Sequence, residues 1–507
     1  MLARTTSYTT LGLHAVAVDV EVDAARGLPT FSIIGLPDQA VKEAKERIRA
    51  AILNSQYQLP SSRLTINLAP ADVKKEGGIF DLAMALGMLA ATGQADPHRV
   101  ASLMAMGELA LDGSVRAVPG VLPIALALRH NRRPLMVPRA NAQEARLIGG
   151  LHVVPVASLT EAVAWLSAPS AAAPAPSASR RALRAPARYP VDFADVRGQA
   201  HVKRALEVAV AGGHHALLIG PPGSGKTMLA QRMATIEPDL SLDEALEATA
   251  IHSVAGLLHE APLIAQRPFR APHHTTSAVA LVGGGATPKP GEVSLAHHGV
   301  LFLDELPEFH RDALESLRQP LEDGVISVAR AKRSVTFPAR FLLVAAMNPC
   351  PCGYLTDPRR RCRCPSHKVA QYLAKISGPL LDRIDLHVEV PAVRFETLTH
   401  PADGESSQAI KARVVAARRR ARKRLRPLGV ACNAQLRHRD LANACPLSLQ
   451  AAALLKSALQ ELGVSARSYG KLLKIARTIA DLAASEEILP EHLAEAIQYR
   501  SLDRQLW

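Results

Sequence analysis

The sequence predicts an α/β protein: a core built on a parallel sheet, preceded by a mixed α and β domain and followed by an almost wholly helical segment. Three observations carry this. Ala216-Leu217-Leu218-Ile219 is apolar throughout and runs straight into Gly220-Pro221-Pro222-Gly223-Ser224-Gly225-Lys226-Thr227, so a short buried strand meets a glycine-rich turn and a helix start. The same strand type recurs at Val300-Leu301-Phe302-Leu303 and at Phe341 to Ala346, alternating with helical patterns between Tyr189 and about Val390, which is how parallel sheets are written in sequence. The stretch from Ser167 to Arg188 is rich in Pro, Ala and Ser without apolar periodicity, the composition of a semi-rigid linker. The expected domains are therefore 1–166, a linker at 167–188, a core at 189–400 with a cysteine-rich insertion, and a helical domain at 401–507.

Within the first domain, Val16, Val18, Val20 and Val22 alternate as one face of a strand, and Leu64, Ile66 and Leu68 repeat the pattern. Val41, Ala44, Ile48, Ala51 and Ile52 fall between them at helical spacing. The 507 residues allow roughly three domains, and 48% hydrophobic with 21% charged residues describes a globular chain with ample core. Sixty Lys and Arg against 46 Asp and Glu leave a net charge of +14, which makes a polyanionic partner plausible without naming it. The sequence holds no apolar run of membrane-spanning length and no basic-then-apolar start of a signal peptide. Cytoplasm is the expected compartment.

The chemistry is concentrated in the core. Gly220 to Thr227 is a phosphate-binding loop: backbone N–H groups and a helix N-terminus converge on one anionic point. Lys226 then reaches the β- and γ-phosphates of ATP, and the Thr227 hydroxyl ligates Mg²⁺. The strand ending in Asp304-Glu305 presents two carboxylates, Asp304 for the Mg²⁺ shell and Glu305 to polarise the attacking water. Asn348, after the third strand, is either a turn former or a hydrogen-bonding partner of the water or γ-phosphate.

Four of the six cysteines crowd together: Cys350, Cys352, Cys362 and Cys364. Two Cys-x-Cys pairs make a four-thiolate set for structural Zn²⁺, with reduced thiols in a Pro-rich turn as the competing reading. Cys432 and Cys445 read as isolated small apolar residues. Arg330, Lys332 and Arg333 sit at the tip of an expected hairpin, where they either track a nucleic-acid backbone or are simply solvated. Lys411 to Arg426 holds nine Lys or Arg in 16 residues and reads as a nucleic-acid or subunit contact or as the solvated face of a helix. His273 and His274 read as structural or DNA-facing.

Taken together, the phosphate loop after Arg197-Gly198-Gln199, the Asp304-Glu305 strand, Asn348 and Gly378-Pro379-Leu380-Leu381-Asp382-Arg383-Ile384-Asp385 resemble the magnesium-chelatase-like branch of the AAA+ ATPases, and its ComM/YifB group in particular. Phe269 to Thr275, Gly291 to His297 and Met347 to Gly353 are the specific motifs. The resemblance implies an AAA+ core with a helical lid, behind a Lon-protease-like domain of the ribosomal-S5-domain-2 type. It implies a homohexameric ring in which Arg383 acts as an arginine finger on the neighbour's γ-phosphate and Arg467 as the second sensor. The hairpin of Arg330, Lys332 and Arg333 would project into the pore. Where a Ser-Lys peptidase would carry its dyad, this chain has Ile79 and Leu122, so no protease activity is expected. The function expected is an ATP-driven motor on DNA, in branch migration of incoming DNA during natural transformation. A chelatase-type motor subunit and a protein-remodelling chaperone are the alternatives.

Overall fold

The computed structural model describes all residues except 60–61, 169–188, 259–262, 286–287, 331–332, 356, 358–359, 394–403, 463–465 and 501–507. All of the expected linker beyond Ala168 thus lies outside the described residues. The chain forms two compact units, one of residues 1–186 with 241–265, the other of residues 187–240 with 266–507.

The first unit is built on seven strands: β1 (Leu2–Leu11), β2 (His14–Ala25), β3 (Thr30–Ile34), β4 (Arg63–Ala69), β5 (Met104–Ala105), β6 (Leu135–Pro138) and β7 (Val153–Val156), in the order β3-β4-β2-β1-β5-β6-β7. The β1–β2 and β2–β4 pairs are antiparallel and the others parallel. Period-two alternation sets the buried face: Val18, Val20, Val22, Leu64, Ile66 and Leu68 are all buried. Helix Gln39–Asn54 buries Val41, Ala44, Ile48, Ala51 and Ile52, and the Asp38 carboxylate caps it by accepting from Val41 N at 2.8 Å. Helix Leu242–Val254 joins this unit although it follows the phosphate loop in sequence; Ser253 Oγ donates to buried Glu144, and Ser253 O accepts from Gly120 N at 3.1 Å. The expected core of 189–400 takes in these residues, because sequence order does not say which surface a segment packs on.

The second unit centres on five parallel strands. These are β8 (Ala216–Ile219), β9 (Phe269–Arg270), β10 (Val300–Leu303), β13 (Leu342–Met347) and β14 (Leu386–Glu389); β11 (Val325–Arg330) and β12 (Arg333–Pro338) form a separate antiparallel hairpin. The sheet order is β9-β10-β13-β8-β14. Alternate residues of β8, β10 and β13 enter two cores: Leu218, Phe302 and Val344 on one face, Leu217, Leu301 and Leu343 on the other. Side chains of helices Ser407–Leu425 and Ala466–Leu482, among them Val414, Ala417, Ala476 and Ile479, belong to the first of these cores. Because every strand is parallel, the carboxyl ends of β8, β10 and β13 open on one edge, where ligands bind in open α/β sheets.

Candidate active site

Strand β8 delivers the chain to this edge, and Gly220 N donates to Met347 O at 3.2 Å, tying the start of the loop to the end of β13. Glycine is required at Gly220, since a Cβ there would stand 2.1 Å from Val390 O. Gly223 and Gly225 take φ of 75° and 90°, the left-handed region that side chains disfavour. Helix Lys226–Ile236 follows directly, so its first N–H groups face the turn.

Lys226 is buried, and its Nζ donates to Gly220 O at 2.8 Å, Pro221 O at 2.9 Å and Asn348 Oδ1 at 3.2 Å. Burial lowers its pKa, against the pull of Asp304 and Glu305. Thr227 Oγ1 donates to Asp304 Oδ2 at 2.6 Å. The pairs Thr227–Asp304 and Lys226–Asn348 thus join groups from three strand ends separated in sequence by 77 and 122 residues. Ser224 Oγ is buried with no hydrogen-bond partner among the described residues. A cradle of glycines, a lysine held on backbone carbonyls and an orphaned hydroxyl fit a polyphosphate, and the Thr227–Asp304 oxygens fit its Mg²⁺.

Glu305 follows with a left-handed φ of 54°, a conformation that costs a non-glycine residue of order 1 kcal/mol and recurs at functional sites. Its N–H donates to Asp304 Oδ1 at 2.9 Å, and its half-exposed carboxylate lies 3.1 Å from His274 Nδ1. His274 is thus a neighbour of the acidic strand end. Sequence missed the pair because β9 and β10 become neighbours only in the sheet.

Other expected residues are placed elsewhere. The Arg383 guanidinium donates to Pro379 O at 2.5 Å and to Glu322 of its own chain, rather than to the phosphate loop. Arg467 starts helix Ala466–Leu482, but its side chain lies outside the described residues, as do Lys332 and the side chains of Arg330 and Arg333. The expected hairpin is present, with Arg330 paired to Arg333 across the turn. In the basic block, Lys411 binds Asp239, Arg413 binds Glu207 and Glu405, Arg418 binds Val210 O and Arg424 binds Asp481. Much of that charge is thus engaged within the unit.

The sulfurs of Cys350, Cys352, Cys362 and Cys364 lie within 4.8 Å of one another, with separations of 3.4, 3.7 and 3.6 Å among the first three. A tetrahedron of Zn–S bonds near 2.3 Å requires sulfurs about 3.8 Å apart, so the four thiols fit zinc. Backbone N–H groups of Arg363 and Tyr354 hold the Cys352 thiol down to about 6, favouring the thiolate that metals take. Cys432 and Cys445 are buried singly.

Three family profiles cover the chain. Residues 192–398 match "Magnesium chelatase, subunit ChlI", residues 20–141 "Subunit ChlI of Mg-chelatase" and residues 404–500 "Magnesium chelatase, subunit ChlI C-terminal". Competence protein ComM of Haemophilus influenzae is 43% identical over 507 residues, 100% of this chain and 98% of its own length. This chain belongs to the ComM/YifB family of magnesium-chelatase-like AAA+ proteins. The uncharacterized protein YifB of Escherichia coli is 46% identical over 499 residues, 98% of this chain and 96% of its own. A weaker and partial likeness, 30% over 145 residues or 26% of each chain, relates it to Lon protease 2 of Bacillus subtilis. Among the described residues no helix is long and apolar enough to cross a membrane.

Proposed function

We propose that this AAA+ protein is a cytoplasmic, ring-forming ATPase that turns hydrolysis into movement along DNA, in branch migration during recombination of incoming DNA. The observation that carries the ATPase reading is the meeting of Lys226, Thr227, Asp304 and Asn348 at the common edge of three parallel strands. Thr227 and Asp304 would hold the Mg²⁺ that, when bound, neutralises charge on the phosphates of ATP. Lys226 orients the phosphates, while Glu305, kept in place by His274 and exposed to solvent, accepts the proton of the attacking water. Asn348 fixes the lysine and, from the same strand end, the water.

The DNA reading is supported by the net charge of +14, the hairpin with its Arg330, Lys332 and Arg333 tip, and a full-length relative named as a competence protein. In this reading Arg383 leaves Glu322 to act on the neighbouring subunit's nucleotide, Arg467 senses nucleotide from the lid, and zinc on the four cysteines pins the loop after Asn348. The first domain is a collar without peptidase chemistry; buried, apolar Ile79 and Leu122 support this. The family description favours a chelatase-type motor as the second reading; a remodelling chaperone is the third.

Purified protein should hydrolyse ATP and move a branched DNA junction. Lys226→Ala should lose nucleotide binding, and Glu305→Gln should bind nucleotide with turnover reduced by about 10²-fold or more. Turnover indifferent to DNA, with no junction movement, would shift the conclusion to the chelatase or chaperone reading. Zinc analysis of reductively purified, active protein should find one ion per chain; an active, zinc-free sample would exclude the metal.

A further inference from the structure

The cysteine loop does more than follow Asn348 in sequence, because it lies against the phosphate loop. Gly353, at φ 85°, lets the backbone approach so closely that a Cβ there would stand 2.5 Å from Pro222 Cδ. Beyond this contact, Tyr354 and Arg360 line a cavity of ≈ 650 Å³ together with Arg197, Gln199, Gly223 and Met228. That volume suits a nucleoside-sized ligand. The cavity begins at the glycine turn, so a nucleotide with its phosphates on Gly223 to Lys226 leaves its base and ribose in this space.

The two side chains form a built surface. Arg360 Nη1 donates to Tyr354 Oη at 2.9 Å, and its guanidinium carbon stands 5.2 Å from the centre of the Tyr354 ring. The pair presents a flat, cationic face of the kind that stacks on a purine or hydrogen-bonds a ribose. Among its described residues the loop that carries the pair has no helix or strand, and what gathers its two ends is the cluster of four sulfurs.

We propose that Tyr354 and Arg360 are nucleoside-binding residues, and that metal on Cys350, Cys352, Cys362 and Cys364 holds them in place, so that thiolate-site occupancy sets nucleotide affinity. This rests on the ATP-site reading above. In a chain of this family the metal is then a determinant of the nucleotide pocket rather than a distant staple.

The test uses the full-length protein, a fluorescent ADP as the nucleoside-bearing probe and inorganic tripolyphosphate as a competitor that engages only the phosphate loop. Tyr354→Ala and Arg360→Ala should each weaken the fluorescent ADP by about two- to tenfold, the span of an aromatic or cation–π contact, with tripolyphosphate affinity unchanged. Wild-type protein stripped of metal by a chelator should shift in the same direction. Fluorescent ADP affinity equal to wild type in both variants overturns the proposal. An equal loss for both ligands makes the pair merely structural and also overturns it. Metal-stripped protein that keeps its affinity removes the coupling. Lys226→Ala separates this from the underlying reading: if it too binds fluorescent ADP normally, the ATP site itself is misassigned.

Discussion

Gly220 shows how little freedom the phosphate loop has at single positions. Its missing Cβ is what lets Val390 O come close, so Gly220→Ala must push apart two adjacent strand ends. We expect a stability loss of about 1–3 kcal/mol in urea melts, together with loss of fluorescent ADP binding. His215 is a second sensitive point, under β13, where its Nδ1 accepts from Leu343 N at 3.0 Å. Desolvation first, with smaller contributions from Lys471 and His214, holds its pKa down to about 4, against the attraction of Asp385. The unfolded chain takes up that proton near pH 6.5, whereas the folded chain refuses it until about 4. The resulting stability is complete above pH 6.5 and is lost as pH falls towards 4. His215→Asn keeps an acceptor for Leu343 N and should flatten this dependence when urea midpoints at pH 7 and pH 5 are compared.

At the scale of elements, the helical region is locked by a buried ionic cluster rather than by apolar packing alone. Asp481 accepts from Arg424 at 2.7 Å, Arg477 at 3.0 Å and Asn433 at 2.8 Å, with both Asp481 and Arg477 almost fully buried. Removing the carboxylate leaves the Arg424 and Arg477 guanidinium groups without their counter-charge. Asp481→Ala should therefore cost about 3–5 kcal/mol, read as a lower denaturation midpoint. The hairpin β11–β12 has a different economy. Ile326 and Phe337, paired across the two strands, are buried and anchor its base, while the backbones of Arg330 and Arg333 pair at its other end. On the proposed DNA reading, replacing Arg330, Lys332 and Arg333 together by Ala should weaken DNA binding and shrink its salt dependence by about 0.9 in log–log slope per lost phosphate contact. A slope equal to wild type would count against the proposed DNA role of this hairpin.

At the scale of the whole molecule, the single chain gathers most of the proposed ATP site but keeps Arg383 on Glu322. A residue that serves a neighbour need not reach its own phosphate loop, and closed rings make such shared sites possible. Mixing inactive Arg383→Ala protein with inactive Lys226→Ala protein should then restore part of the ATPase activity, since mixed rings contain interfaces with an intact loop on one side and an intact arginine on the other. Absence of rescue, in mixtures shown by mass to co-assemble, would confine Arg383 to its own subunit.

Much of this was legible in the order of residues alone. The buried sets of helix Gln39–Asn54 and of β2 and β4 followed from periods of 3.6 and two residues, because side-chain direction is fixed by local backbone geometry. The phosphate loop was equally plain, since its chemistry lies in eight consecutive residues. What local pattern does not encode is adjacency between distant segments. That His274 meets Glu305, that helix Leu242–Val254 joins the first unit, and that Tyr354 and Arg360 wall the cavity beside Gly223 depend on strand order and loop closure. The sequence by itself determined the elements, the family and the phosphate loop. Only the tertiary structure decided which side chains from separate elements share that edge, because those contacts are set by long-range packing of surfaces that each segment merely carries.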